Sequence, residues 1–218
     1  MFERYCYFPY DPYNRAPSDI SYIRILHASP GAPTVDIYAN ENIIARGLVY
    51  KGFTPYIRVN TGVYNINVFP SGQTSNPVLS TSINIPPQSV MTVAAAGRPA
   101  ELSLFPINEP FVPTTQGKAY VRFVHLSPDT PSVDITLPNG TILFSNVAYK
   151  GITEYIPVDP GTYILEARPT STEVIALYVP NITLRADRFY TVYAVGLSGG
   201  TPSLQALIPL DGNSYIKF

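Results

Sequence analysis

A histidine, a serine and an aspartate lie close together at His27, Ser29 and Asp36 in the stretch HASPGAPTVD. They return as His125, Ser127 and Asp134 in HLSPDTPSVD, and these are the only two histidines in the 218-residue chain. The three residue types are those of a nucleophilic hydrolase. That chemistry needs the hydroxyl hydrogen-bonded to the imidazole, a carboxylate on the other ring nitrogen, and donors that hold an oxyanion. Nearness in sequence supplies none of this geometry. Neither serine sits in a G-x-S-x-G elbow or beside a glycine-rich donor loop. Strand parity puts His27 on an inward face with Ile23 and Ile25, while Ser29 precedes a turn proline where a short hydroxyl can satisfy free backbone groups. The expectation is therefore a polar structural corner built twice from His27, Ser29, Asp36 and from His125, Ser127, Asp134, with no catalytic residue.

The elements that must position these residues also come in duplicate. YIRILHASPGAPTVDI from Tyr22 aligns with YVRFVHLSPDTPSVDI from Tyr120, an offset of 98, and YKGFTPYIRVNTGVY from Tyr50 aligns with YKGITEYIPVDPGTY from Tyr149, an offset of 99. A period this long describes self-contained domains rather than a solenoid. The boundaries read as an arm at 1–19, repeat 1 at 20–109, a linker at 110–117, repeat 2 at 118–212 and a tail at 213–218. Within each repeat hydrophobic residues alternate with period two, as in strands with one face buried. Turn signals such as Pro30-Gly31, Asn60-Thr61-Gly62, Asn139-Gly140 and Pro160-Gly161 recur at short intervals. The fold class expected is all-β, with two tandem antiparallel β-sandwiches of immunoglobulin-like or transthyretin-like type and seven or eight strands each. A small closed barrel is the alternative.

The pattern Y-[IV]-R-x-x-H-x-S-P-x-x-P-x-V-D-[IV], followed by YKG and G-x-Y, occurs in both halves. It resembles the bacterial domain-of-unknown-function family numbered 4397. The resemblance implies β-sandwich modules common in cell-surface or envelope proteins, often in tandem. It implies no assigned activity and carries over no catalytic residue.

Composition narrows the partners. Charged residues make up 13% of the chain, hydrophobic residues 45%, and the net charge is -1, so there is no basic face for nucleic acid. No stretch is apolar enough for a membrane span, and the N-terminus lacks a secretory signal pattern, which points to cytoplasmic synthesis without signal-dependent export. Two histidines in separate repeats and one cysteine provide no metal cluster, and no cofactor is expected. The N-terminal RYCYFPYDPYNR gathers Tyr5, Cys6, Tyr7, Tyr10 and Tyr13, the makings of an adhesive or crosslinking arm. Tyr38, Tyr50, Tyr56, Tyr149 and Tyr155 are candidate exposed platforms for stacking a glycan. Lys51 and Lys150, each within YKG, are expected as exposed turn residues. Together these point to a non-enzymatic structural or interaction protein of a bacterial surface, spore coat or exosporium, with protein partners or self-assembly. The alternative is a glycan- or peptidoglycan-binding module.

Overall fold

The structure is a computed structural model that describes residues 19–218. Its described residues hold sixteen strands, eight per repeat, and two short 3-10 turns. Repeat 1 contains β1 (Ile20–His27), β2 (Val35–Ala39), β3 (Asn42–Leu48), β4 (Ile57–Asn60), β5 (Gly62–Pro70), β6 (Leu79–Ile85), β7 (Val90–Ala96) and β8 (Ser103–Asn108). Repeat 2 contains β9 (Ala119–His125), β10 (Val133–Thr136), β11 (Ile142–Val147), β12 (Ile156–Val158), β13 (Gly161–Pro169), β14 (Leu177–Leu184), β15 (Phe189–Val195) and β16 (Gln205–Leu207). The sheets run β4-β1-β7-β8 over β3-β2-β5-β6 in the first repeat, and β12-β9-β15-β16 over β11-β10-β13-β14 in the second. Two all-β sandwiches in tandem are what the alternation and the repeat had indicated.

The pairing is not purely antiparallel. In each inner sheet one central pair is parallel, β1 with β7 and β9 with β15. Parity marks which residues share a face but not the direction of the neighbouring strand, so the parallel pairs could not be read from it.

Each sandwich has its own core. Ile23, Ile25, Val35, Ile37, Val68 and Val93 centre the first, and Val121, Phe123, Val133, Ile135, Leu165 and Val192 the second. A third apolar cluster lies between the sandwiches and draws on both: Leu26, Ala94 and Ile107 meet Val124, Leu126 and Tyr193. Hence β7, β9 and β15 are buried at every position. These strands bury both faces, one in their own sandwich and one against the other. Small residues on β7, Ala94 and Ala96, admit the opposing Tyr193 and Val195.

The segments outside the strands also pack. Within the linker, the Thr115 amide donates to the Tyr120 hydroxyl. The expected tail is not free: Asn213, Ser214 and Ile216 are buried, and Asn213 Nδ2 donates to the Pro110 carbonyl at 3.0 Å. No helix among the described residues is long and apolar enough to cross a membrane.

Candidate functional site

The duplicated corner divides into two separate devices. His27 ends β1 with 1% exposure. Its Nε2 lies 3.0 Å from the Pro33 carbonyl and its Nδ1 accepts the Ser29 amide at 3.4 Å. A carbonyl can only accept, so Nε2 carries the proton and the ring is a neutral bridge between two backbone groups. The Ser29 hydroxyl donates instead to the Gly97 carbonyl at 2.6 Å. His125 and Ser127 repeat this with Pro131 and the Gly196 carbonyl, at 3.1 and 2.7 Å. Both glycines have positive φ, 101° and 95°, and a Cβ there would collide with the backbone of Glu101 or Ser203. Each serine thus fastens β1 or β9 to the end of the parallel neighbour.

Asp36 belongs elsewhere. Its carboxylate accepts the Gly47 amide at 2.6 Å, the Ser71 hydroxyl at 3.0 Å and the Gly72 amide at 2.9 Å. It clamps the irregular β2–β3 pairing and the turn after β5. The Gly47 and Gly72 amides hold its carboxyl below the usual range. In repeat 2 Asp134 makes the corresponding clamp, accepting the Asn146 amide at 2.6 Å and the Thr170 hydroxyl at 3.2 Å. The expected three-residue clasp is therefore corrected: His and Ser act together, and Asp acts on the outer sheet. Parity already separated Asp36 from His27, but its partners come from distant turns.

Burial depresses the basicity of His27 and His125. The unfolded chain then takes up protons first, so stability is intact above about pH 6.5 and falls as pH drops below it. The double variant His27→Gln/His125→Gln keeps an amide donor for each carbonyl. Thermal melts between pH 7 and pH 5 should show its acid-side loss reduced relative to the parent, and an unchanged slope would place the loss on other groups.

The densest polar cluster lies between the sandwiches. Arg24, on the face of β1 opposite Ile23 and Ile25, is 4% exposed. Its Nε donates to Thr92 Oγ1 at 2.7 Å within its own sheet. Its other nitrogens reach into repeat 2, where Nη1 donates to the Leu210 carbonyl at 2.9 Å and Nη2 to Asp211 Oδ1 at 2.8 Å, and Nη2 also meets Glu109 Oε1 of its own repeat at 3.4 Å. Arg122 reciprocates, giving Nε to Thr191 Oγ1 at 2.9 Å and Nη1 to the Asn108 carbonyl of repeat 1 at 2.6 Å. The guanidinium of Arg24 lies over the Tyr56 ring at 4.7 Å, and that of Arg122 over Tyr155 at 4.5 Å.

The carboxylates match in position. The Glu109 amide donates to Val90 and the Asp211 amide to Phe189, which are equivalent places in the two inner sheets. Glu109 accepts Tyr56 Oη, Thr92 Oγ1 and the Gly212 amide, each at 2.7 Å. Asp211 accepts Tyr155 Oη at 2.7 Å and Thr191 Oγ1 at 2.5 Å. Two arginines and two carboxylates thus balance in a site closed to water. Burial and the neighbouring Glu109 push the Asp211 carboxyl up to about 6, and burial pushes the Tyr193 hydroxyl up to about 12.

This overturns the expectation for several tyrosines. Tyr155 is 9% exposed, and Tyr56 and Tyr155 each give one ring face to an arginine and the hydroxyl to a carboxylate. Tyr50 packs in the cluster between sandwiches, Tyr149 lies edge-on to His125, and Tyr38 packs edge-on against Phe69 at 5.5 Å. None of the five stands as a free platform. Lys51, exposed as expected, reaches Gln205 at 2.8 Å, and half-buried Lys150 reaches Ser103 at 2.9 Å, each across the domain boundary. Tyr5, Cys6, Tyr7, Tyr10 and Tyr13 lie outside the described residues. No group of three or more His, Cys, Asp or Glu among the described residues is placed to hold a metal ion.

The residues that matter most here went unmarked in the sequence. Arg24 and Arg122 recur at the offset of 98, and Tyr56 with Tyr155 and Thr92 with Thr191 at the offset of 99. In a chain this poor in charge, a recurring arginine on a strand was the available signal.

Fold and site define a duplicated β-sandwich module whose two copies join through their inner sheets around a reciprocal ionic core. The chain belongs to the family described as Domain of unknown function (DUF4397), matched over residues 21–136 and 136–215. Among solved structures it is similar to the Bacillus anthracis TIE protein, at 12% identity and a TM-score of 0.26, covering 77% of this chain and 31% of that one. It is also similar to a leucine-rich repeat protein from Bacteroides thetaiotaomicron, at 11% identity and a TM-score of 0.21, covering 80% and 26%. The chain thus spans less than a third of the length of either. No curated protein matches it.

Proposed function

We propose that the chain is a non-enzymatic structural and interaction protein of a bacterial surface layer, with the spore coat or exosporium as its setting and self-assembly as its mode. One observation carries this reading: the polar residues that recur in both copies are consumed in construction. His27, Ser29 and Asp36 with their counterparts bind backbone, and Arg24, Tyr56 and Thr92 with theirs join the sandwiches. What faces outward is a low-charge, hydroxyl-rich surface with long edge strands. On β6, Ser80, Thr81, Ser82 and Asn84 are exposed, and an edge strand offers unpaired backbone groups to a neighbouring chain.

The cysteine and tyrosines of residues 1–18 supply the crosslinking chemistry in this reading. In sedimentation velocity under non-reducing conditions the full chain should form species larger than the monomer. Cys6→Ser and deletion of residues 1–18 should each shift it toward monomer. If both variants assemble as the parent does, the arm has no part in assembly. In the source bacterium the protein should fractionate with the surface layer or coat, and recovery wholly in the soluble lysate would overturn that placement.

A further inference from the structure

The two outer sheets differ at one place in a way that makes a site in repeat 2 alone. In repeat 1 the outward face of β2 and β5 carries Asp36, Tyr38, Asn67 and Phe69, in the register Asp36–Phe69 and Tyr38–Asn67. Tyr38 and Phe69 cover that face, packed edge to face at 5.5 Å. The same positions of β10 and β13 hold Asp134, Thr136, Glu166 and Arg168, in the register Asp134–Arg168 and Thr136–Glu166. Two aromatic rings are replaced by a threonine and an arginine. The space they would fill is a crevice of about 560 Å³, within the roughly 300–1,000 Å³ usual for small-molecule sites. The turn at Pro138–Gly140 forms one wall and the turn at Ser171–Glu173 the other.

The crevice has unspent polar capacity. Thr136 is 3% exposed, and its Oγ1, like Arg168 Nε, has no hydrogen-bond partner. Asp36 uses both carboxylate oxygens on repeat 1, whereas Asp134 spends only Oδ1. Next to Glu166 across the sheet, and on the same face, stands Tyr178 of β14, 53% exposed. Cross-strand neighbours have Cβ atoms about 5 Å apart, so Tyr178 stands beside Glu166, one strand beyond the crevice lining, where a chain leaving the crevice along the sheet face would meet it.

We propose that this crevice binds a neutral saccharide chain, with Tyr178 as the stacking surface and Asp134, Arg168 and Glu173 as its polar contacts. Sugar hydroxyls both donate and accept, and so suit a lining that mixes carboxylates with guanidinium, amide and hydroxyl groups. An anion is disfavoured because Arg168 already gives Nη2 to Glu166 at 2.6 Å and Nη1 to Glu173 at 3.2 Å. A metal ion is disfavoured by that same guanidinium lying between the carboxylates. The assignment goes beyond the structural role proposed above and shares with it only Asp134, through the Oδ2 oxygen that its structural contacts leave unused.

The test is a titration of the isotope-labelled full chain with chitotetraose, cellotetraose, mannotetraose and maltotetraose, followed by amide shift changes. At least one should bind, with the changes confined to β10, β13, β14 and the two turns. Tyr178→Ala, at an exposed position, should weaken that binding about tenfold or more. Thr136→Tyr/Arg168→Phe copies the pair of repeat 1 into the crevice and should abolish binding. Absence of binding to all four at millimolar concentration overturns the proposal. So do shift changes centred elsewhere, or equal affinity of Tyr178→Ala and the parent.

Discussion

Arg24→Ala should lower the free energy of unfolding by about 3–5 kcal/mol, the usual cost of removing one partner from a buried ion pair. The loss goes well beyond a single contact. Asp211 and Glu109 would remain buried with Arg122 as the only cation, and Thr92 and the Leu210 carbonyl would each lose a donor. Arg122 is already committed to Thr191 and the Asn108 carbonyl. Part of the stranded charge can be relieved by protonation, because the Asp211 carboxyl already sits up at about 6. Denaturant titrations should therefore find a larger loss at pH 8 than at pH 5. Removing charges in balance separates electrostatics from packing: Arg24→Met/Asp211→Leu leaves one cation and one anion in the site and should recover much of the loss. A loss below about 1 kcal/mol for Arg24→Ala would mean that the network does not hold the domains together.

The same arginine shows where reading the sequence stops. Period-two alternation places Arg24 opposite Ile23 and Ile25, and the structure agrees. Alternation says nothing about what covers the second face, so a strand buried on both sides looks like one half in water until the partner sheet is known. Tyr56 and Tyr155 mislead for a related reason. A recurring tyrosine is compatible with an exposed platform and with a ring under a guanidinium, and only the fold brings Arg24 to one and Arg122 to the other. Glu109 and Asp211 were hidden more thoroughly, since they differ in type and are offset by 102 residues where the opening motif is offset by 98. By contrast, the turns and strands were legible because their determinants are local: Gly97 and Gly196 align in the sequence and both adopt positive φ. The crevice at Thr136 and Arg168 was legible only in part. The exchange of Tyr38 for Thr136 is visible in the alignment, but the space left behind is a property of the sheet face.

Dividing the chain at the linker should have the largest effect of all. A fragment of residues 19–117 exposes Leu26 and Ile107, and its partner of residues 118–218 exposes Val124, Leu126, Tyr193 and Val195, all of them fully buried in the joined protein. At roughly 1.5–3 kcal/mol for each large apolar side chain, uncovering six of them removes on the order of 10 kcal/mol. That is comparable with the whole stability of a typical domain, about 5–15 kcal/mol. Each fragment keeps one arginine and one carboxylate of the ionic core but loses the contacts that cross between the repeats, because Arg24 takes its shortest carboxylate contact from Asp211 and the Gly212 amide takes its partner from Glu109. Neither fragment alone should show a cooperative thermal transition near that of the parent. Mixed in equal amounts, they should associate and regain it, and Arg24→Ala in the first fragment should weaken that association. Two fragments that fold separately and stay monomeric when mixed would show that the sandwiches are independent domains in contact. Recovery only on mixing would make the duplicated family domain a pair whose inner sheets complete one another, with the linker serving to keep the halves together.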